Sequence, residues 1–214
     1  MNRSYMVGGS VRDLLLGRLP KDVDILVPDD PEEAAQKLAR GIGGRFFYLD
    51  RKRSILRVIV SPAAAAQQRL FPTVHYDISS LGTEPLTQNL SHRDFTIDAI
   101  AVSVESLLSS TDPPVIVDPF RGYADLQNKQ VRALSSAVFE EDPLRLLRAF
   151  RLAGVLEFRI EPETLDWIRS RGSLITRAAA ERIREELLTI VSLSRSVPVL
   201  EQIYESGLWS VLVT

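Results

Sequence analysis

The fold of this chain is decided by residues 8–27, which read GGSVRDLLLGRLPKDVDILV. Tyr5–Val7, just before this stretch, predicts a short strand that runs into two glycines. Ser10–Leu16 then predicts a helix that stops at Gly17, because glycine is the usual residue after a helix end. Asp22–Val27 predicts a second strand. The stretch therefore predicts a strand, a tight turn, a helix and a strand at the start of a mixed α/β fold.

The glycine turn is the first candidate binding element. Gly8 and Gly9 let the backbone approach a ligand closely, and a helix N-terminus offers unpaired N–H groups to phosphate. Arg12 can add a charge-assisted contact to the same phosphate. Ser10, with Asp13 three residues later, predicts a side-chain cap close to a capping box. A plain tight turn is the alternative, and the carboxylates that follow favour the phosphate-binding interpretation.

Two carboxylates form the second candidate element. Residues i and i+2 of a strand point to one face, so Asp22 and Asp24 converge while Val23, Ile25 and Val27 face the core. Neighbouring carboxylates repel one another unless a cation lies between them. Mg²⁺ suits this arrangement, because it is typically held by one or two carboxylates and substrate phosphates. A solvated strand edge is the alternative for an isolated pair.

The rest of the chain divides into a mixed first part and a helical second part. In the first part, a helix is predicted at Pro31–Arg40, and three strands are predicted at Arg45–Leu49, Ile55–Val60 and Val74–Ile78. A flexible loop is predicted at 63–68 and a turn at 111–114. The second part predicts four helices: Asp142–Leu152, Glu161–Arg171, Ala178–Leu193 and Pro198–Ser206. We therefore predict two domains, 1–128 and 129–214. The apolar end, 207–214, predicts a longer parent protein.

The first helix of the second part carries a third candidate element. Asp142 and Arg145 are three residues apart and would be neighbours on a helix surface. Together they offer an acceptor and a forked donor, which are the two functions needed to read the edge of a base. The alternative is that Asp142 caps the helix and that the arginines are solvated; both roles are compatible.

Composition excludes several classes of protein and site. The chain has 214 residues, no cysteine and only two histidines, so disulfides and thiolate or histidine-rich metal sites are excluded. No apolar run approaches the roughly 20 residues that span a bilayer. The net charge of −2 argues against a strongly basic nucleic-acid binder. No signal peptide is recognised, and we expect a cytoplasmic protein.

Five ordered motifs resemble those of a known family. The glycine turn with Asp22 and Asp24 looks like the first motif of the bacterial-type (class II) tRNA nucleotidyltransferases and the related poly(A) polymerases. The second to fifth motifs are similar to residues 93–99 (RDFTIDA), 118–126 (DPFRGYADL), 141–151 (EDPLRLLRAFR) and 180–187 (AERIREEL). The resemblance implies the nucleotidyltransferase head shared with DNA polymerase beta, which has a mixed sheet, followed by an all-helical neck.

The same resemblance implies roles for individual residues. Asp22 and Asp24 would hold Mg²⁺, and Asp77 is the candidate third catalytic carboxylate. The triphosphate and the incoming base would be bound by a larger set: Gly8, Gly9, Arg12, Arg93, Asp142, Arg145, Arg148 and Arg151. The implied activity is template-independent addition of C, A or both to the 3′ end of a tRNA, with ATP, CTP or both as substrates.

Several positions depart from the family pattern. His92 stands where a second arginine is usual, and Asp98 replaces an asparagine. The segment 78–89 is short, and the helical body and tail of the family are missing. These departures leave open which nucleotides are added. A poly(A) polymerase and a non-catalytic RNA-binding module are the alternatives, and the intact Asp22 and Asp24 pair argues against the second.

Overall fold

The computed structural model describes residues 3–60, 74–109 and 113–213. The chain forms two compact units. The first unit contains residues up to Ser91 and Asp98–Pro119, and the second contains His92–Ile97 and the residues from Phe120 onward. The predicted loop at 63–68 and the first half of the predicted turn at 111–114 lie outside the described residues. In the described part, no helix is long and apolar enough to cross a membrane.

The first unit is built on a seven-stranded mixed sheet. Its strand order is β3-β4-β5-β2-β1-β6-β7, in which β2 and β5 are parallel and the other neighbours are antiparallel. The strands are β1 Tyr5–Val7, β2 Asp22–Val27, β3 Gly44–Asp50, β4 Ile55–Val60, β5 His75–Ser80, β6 Ala101–Ser103 and β7 Ile116–Val117. The helices are α1 Gly9–Leu15, α2 Pro31–Gly41, α3 Leu86–Ser91 and α4 Val104–Leu108.

Helix α2 covers one face of strands β2 to β5. Its buried Ala35 and Ala39 contact a core cluster that includes Val27, Leu56 and Ile78. Asp30 caps the helix by accepting a hydrogen bond from the N–H of Glu32, and Pro31 occupies the first turn, where a missing donor costs little. Because side chains alternate along a strand, the residues between these apolar positions lie on the opposite face of the sheet.

The second unit consists mainly of helices. These are α5 Gly122–Gln127, α6 Val138–Glu141, α7 Arg145–Leu156, α8 Pro162–Arg171, α9 Ala180–Val191, α10 Ser196–Glu205 and α11 Leu208–Leu212, with a 3₁₀ helix at Gly172–Arg177. Two strands of two residues, β8 Gln130–Val131 and β9 Arg159–Ile160, pair in parallel. The segment 92–97 belongs to this unit through a bridge between Phe95 and Ala133.

The fold prediction is confirmed: a mixed sheet with helices is followed by a mainly helical part. The predicted helix Asp142–Leu152 is wrong at its start, because α6 ends at Glu141 and α7 begins at Arg145. Asp142 between them has an extended backbone, with φ −142° and ψ 99°. The following Pro143 explains the break, since a residue before proline is disfavoured in the α region. The domain boundary at 128/129 stays a prediction.

Candidate active site

The carboxylate pair lies near the centre of the seven-stranded sheet. Asp22 and Asp24 are on β2, on the face opposite to Ile25 and Val27, which pack in the core beneath α2. The side chain of Asp22 is 56% exposed, so a solvent ion can reach it. The strand β1 pairs with β2 in a register that sets Val7 opposite Asp24. The glycine turn begins at the next residue and is therefore a direct neighbour of the pair.

A guanidinium and an imidazole contribute to the same face. Arg57 on β4 donates two hydrogen bonds of 2.7 Å to the two carboxylate oxygens of Asp77 on β5. Its Nη2 also lies 3.4 Å from Oδ1 of Asp22, and Nδ1 of His75 lies 3.1 Å from that same oxygen. The hydrogen bonds with Asp77 are the main reason that the pKa of Arg57 is raised. Arg57 therefore stays charged and offsets the repulsion between the carboxylates.

The predicted third carboxylate lies beside the pair. Asp77 is in register with Asp24 on the neighbouring parallel strand. Both of its oxygens accept from Arg57, and each keeps a second lone pair with which it could bind a cation or a proton. The role of Asp77 as a catalytic residue stays a prediction.

The donor set fits a small divalent cation. Asp22 and Asp24 offer oxygen ligands, and Mg²⁺ commonly takes one or two carboxylates together with waters and substrate phosphates. In the described ranges, no group of three or more histidine, aspartate or glutamate side chains could hold a metal by itself. A cation at this pair therefore needs oxygens from a bound substrate or water to complete its shell.

The glycine turn has the backbone that its sequence requires. Gly8 has φ 73° and ψ −145°, a region open to glycine and closed to most other residues. Its N–H donates to the carbonyl of Ile100, and its own carbonyl accepts from Val11 and Arg12 at the start of α1. The predicted capping role of Ser10 is wrong: its hydroxyl donates back to the carbonyl of Val7 at 2.8 Å, and Gly8 is the N-cap.

Arg12 is already paired with acidic side chains. It donates to Asp98 at 2.7 Å and to Asp13 at 2.9 Å, and its side chain is only 13% exposed. Burial lowers the pKa of Arg12, but Asp98 and Asp13 outweigh this effect and raise it. Asp98, at a position where the resemblance implies an asparagine, supplies a counter-charge to Arg12. The predicted contact between Arg12 and a triphosphate stays a prediction.

In the second unit, Asp142 is held by a residue that the prediction did not include. Arg182 on α9 donates to both carboxylate oxygens, at 3.2 and 2.8 Å, and the N–H of Leu144 donates at 3.2 Å. Burial raises the pKa of Asp142, but Arg182, the Leu144 N–H and nearby Arg145 outweigh it and lower the pKa. Asp142 is therefore ionised and fixed in orientation. Arg182 lies within the fifth motif, which is the signal that could have found it.

The other arginines of the fourth motif also have partners in the second unit. Arg145 donates to the Glu141 carboxylate and to the carbonyls of Val138 and His92. Arg148 donates to Asp94 at 2.8 Å. These contacts tie α7 to α6 and to the segment 92–97.

Arg151 and Arg93 are the two remaining predicted site residues in the second unit. Arg151 donates to Glu186 on α9, which ties α7 to the fifth motif. Arg93, next to Asp94, is half-buried. The roles predicted for Arg93, Arg145, Arg148 and Arg151 with nucleotide or RNA stay predictions.

Two family models match this chain. Residues 4–132 match the family described as "Poly A polymerase head domain", and residues 157–213 match "Probable RNA and SrmB- binding site of polymerase A". The chain is 38% identical to the CC-adding tRNA nucleotidyltransferase of Geobacter sulfurreducens, over 91% of this chain and 42% of that protein. It is 33% identical to the A-adding tRNA nucleotidyltransferase of Aquifex aeolicus, over 97% of this chain and 26% of that protein.

Solved structures agree with this comparison. A tRNA nucleotidyltransferase complexed with a primer tRNA and an incoming ATP analogue has a TM-score of 0.82 and 28% identity, covering 99% of this chain and 59% of that one. A tRNA-processing enzyme with CTP has a TM-score of 0.83, 28% identity and coverage of 99% and 55%. The chain thus spans between about a quarter and three fifths of the length of these relatives.

Proposed function

This chain belongs to the poly(A) polymerase head-domain family, and on that premise we propose that it carries the catalytic centre of a template-independent RNA nucleotidyltransferase. The proposed reaction adds C, A or both to the 3′ end of a tRNA and uses CTP, ATP or both. Proteins of this kind typically use a divalent metal ion, and we propose Mg²⁺. The cytoplasmic location expected from the sequence belongs to the same proposal.

One observation carries the proposal more than any other. Val7, which precedes the glycine turn, is in register with Asp24. A triphosphate bound at the backbone of Gly8 and Gly9 would therefore have its reacting phosphate beside the two carboxylates. In-line phosphoryl transfer depends on this kind of placement, because most of the acceleration comes from orientation and charge stabilisation.

The proposed mechanism is attack by the RNA 3′-hydroxyl on the α-phosphorus of the nucleoside triphosphate. The new P–O bond forms as the bond to pyrophosphate breaks, and the hydroxyl proton leaves to solvent or a nearby base. Mg²⁺, when bound by Asp22 and Asp24, would lower the pKa of the hydroxyl and neutralise the leaving oxygens. Gly9 would bind the triphosphate through its backbone N–H, Gly8 would let the phosphates approach the turn closely, and Arg12 and Arg93 would add positive charge.

Selection of the base would fall to the second unit. Asp142 presents an ionised acceptor whose orientation is fixed by Arg182. Arg145 would present the donor, and Arg148 and Arg151 would keep α7 in position or reach substrate phosphates. In this proposal residues 1–128 form the catalytic head and 129–214 the neck that recognises the base. Relatives of this chain include CC-adding and A-adding enzymes, so the nucleotide added must be measured.

The test is incorporation of labelled CTP or ATP into tRNAs that lack one, two or three nucleotides of the C-C-A end, with Mg²⁺ or with EDTA. We expect incorporation of a defined number of nucleotides with Mg²⁺ and none with EDTA. A long A tail would indicate a poly(A) polymerase. No incorporation on any acceptor would contradict the proposal and favour a non-catalytic RNA-binding module.

A variant test addresses the carboxylates directly. Asp24→Asn should reduce incorporation at least about 100-fold, because a metal ion contributes several kcal/mol to the transition state. Asp29→Asn, at an exposed position two residues beyond β2, is the matched control and should retain activity. Circular dichroism should show the same fold for both variants. Full activity in Asp24→Asn would rule out the assigned metal site.

A further inference from the structure

Two rows of paired residues cross the carboxylate face of the sheet from the edge strand β3 to β2. The first, here called the Asp24 row, consists of Phe47, Arg57, Asp77 and Asp24. The second, called the Asp22 row, consists of Arg45, Ile59, His75 and Asp22. Each row starts at the edge of the sheet and ends at one member of the carboxylate pair.

Alternation along β3 assigns its outer side chains to this face. Phe46 and Tyr48 pack against the core beneath α2, so Arg45 and Phe47 point the other way. Phe47 is 46% exposed. The contact between Arg57 and Asp77 on the two neighbouring strands shows that these two members of the Asp24 row share one face.

The spacing along a row suits a short stretch of nucleic acid. Adjacent strands lie about 4.8 Å apart, so Phe47 is about 14 Å from Asp24, measured between Cα atoms three strands apart. About four stacked nucleotides at 3.4 Å each cover this distance, and fewer do so when the strand is extended.

The chemistry of the outer face matches single-stranded RNA. An exposed aromatic ring gives a base a surface on which to stack, and a guanidinium binds the phosphate that follows. The charge along the rows is also ordered, with Arg45 on the edge strand, Arg57 paired with Asp77 in the middle, and Asp22 and Asp24 at the far end. Phosphates would thus be attracted at the edge, and only the reacting end would lie at the carboxylates.

We propose that the outer face of β3, formed by Arg45 and Phe47, binds the single-stranded 3′ end of the acceptor RNA, upstream of its last nucleotide. This inference rests on the proposed function and adds to it the path of the acceptor. A base stacks on Phe47, the adjoining phosphate binds Arg45, and the strand continues along the two rows to the carboxylate pair.

The first experiment measures binding without catalysis. An RNA heptamer ending in C-C is titrated with the full chain in Mg²⁺ without nucleoside triphosphate, and fluorescence anisotropy gives the Kd. In separate heptamers, 2-aminopurine replaces the second, third or fourth base from the 3′ end and reports stacking by quenching. Phe47→Ala should raise the Kd about five- to 100-fold and remove the quenching at one of these positions.

Conservative and distant variants separate stacking from general damage. Phe47→Tyr should keep both the Kd and the quenching. Leu108→Ala, which removes an apolar side chain that is 81% exposed on α4, should leave both unchanged. Arg45→Ala should weaken binding and reduce the salt slope by about 0.7, whereas Arg40→Ala, at an exposed position on α2, should not.

The outcomes distinguish this inference from the proposed function. An unchanged Kd and unchanged quenching in Phe47→Ala would overturn the inference. The edge strand β3 would then be available to another kind of partner, such as a strand of another protein. In the incorporation assay, Phe47→Ala should raise the KM for RNA and leave kcat and the KM for CTP within about twofold. RNA binding that depends on Phe47 without any incorporation would refute the proposed function alone.

Discussion

Asp22 lies within 3.5 Å of two basic groups, the Arg57 guanidinium and the His75 imidazole. A cation bound at this carboxylate would share it with both groups or displace them. Arg57 is the more important, because its hydrogen bonds with Asp77 hold it at this position. We infer that Arg57 keeps the carboxylates close together before a metal ion binds, by offsetting their mutual repulsion.

The pair of Asp142 and Arg182 leads to a prediction about nucleotide selection. Arg182→Ala should release Asp142 and reduce the discrimination between cognate and non-cognate triphosphates, measured as the ratio of their kcat/KM values. Asp142→Asn should have a similar effect. The double variant should be little worse than either single one, with a coupling energy of about 0.5–3 kcal/mol.

Arg184→Ala, at an exposed position on the same helix, is the control for that prediction. It should leave discrimination unchanged. Additive effects of Arg182→Ala and Asp142→Asn would mean that the two residues act independently, and the positioning role of Arg182 would then be wrong.

For the secondary-structure elements, the positions of strands and helices could be predicted from the sequence better than which strands pair. The alternation in 22–27 and 55–60 identifies which side chains share a face. It does not reveal that β2 lies beside β5, which begins about 50 residues later, or that Asp24 is in register with Asp77. Arg57 was missed for this reason, although a charged residue between Leu56 and Val58 is a signal in itself.

The prediction of one helix at 142–152 was wrong because two local preferences of the sequence oppose each other. The apolar spacing of this stretch favours one continuous helix, whereas Pro143 disfavours the helical backbone at the preceding residue. The proline effect determines the structure, and Asp142 lies between two helices instead of on one. Its partner Arg182 is 40 residues away, a separation that periodicity cannot bridge.

The start of α8 gives a prediction about pH. Glu161 caps this helix by accepting from the N–H and the hydroxyl of Thr164, and Arg132 lies 3.2 Å from its carboxylate. Burial raises the pKa of Glu161, but these partners outweigh it and lower the pKa below the ordinary 4.5. The ionised cap therefore stabilises the fold above pH 4.5, and this contribution is lost as pH falls through the lowered pKa.

Glu161→Gln should accordingly lower the free energy of unfolding by about 1 kcal/mol at neutral pH. The difference from the unsubstituted chain should shrink in acid, as the pH falls through the lowered pKa of Glu161. Urea unfolding at the two pH values provides the measurement, and Glu163→Gln, exposed in the same turn, is the control. An equal difference at both pH values would show that the charge of Glu161 is not the cause.

At the scale of the whole molecule, the net charge of −2 gives the chain no general attraction for RNA. RNA binding must then depend on a few positively charged side chains, such as Arg45. We expect the logarithm of the RNA association constant to fall with the logarithm of salt concentration with a slope of about −2, which corresponds to about three neutralised phosphates. A slope steeper than about −5 would indicate a much wider basic surface than the one proposed.

We propose that Asp22 and Asp24 hold a divalent cation beside a glycine turn that binds the triphosphate. Anomalous diffraction from crystals grown with Mn²⁺ and a non-hydrolysable CTP analogue would locate both the cation and the phosphates. We expect an anomalous peak about 2.1 Å from oxygens of both carboxylates, with the phosphates against Gly8 and Gly9. A peak elsewhere, with Asp22 still paired to Arg57 and the phosphates away from the turn, would contradict it.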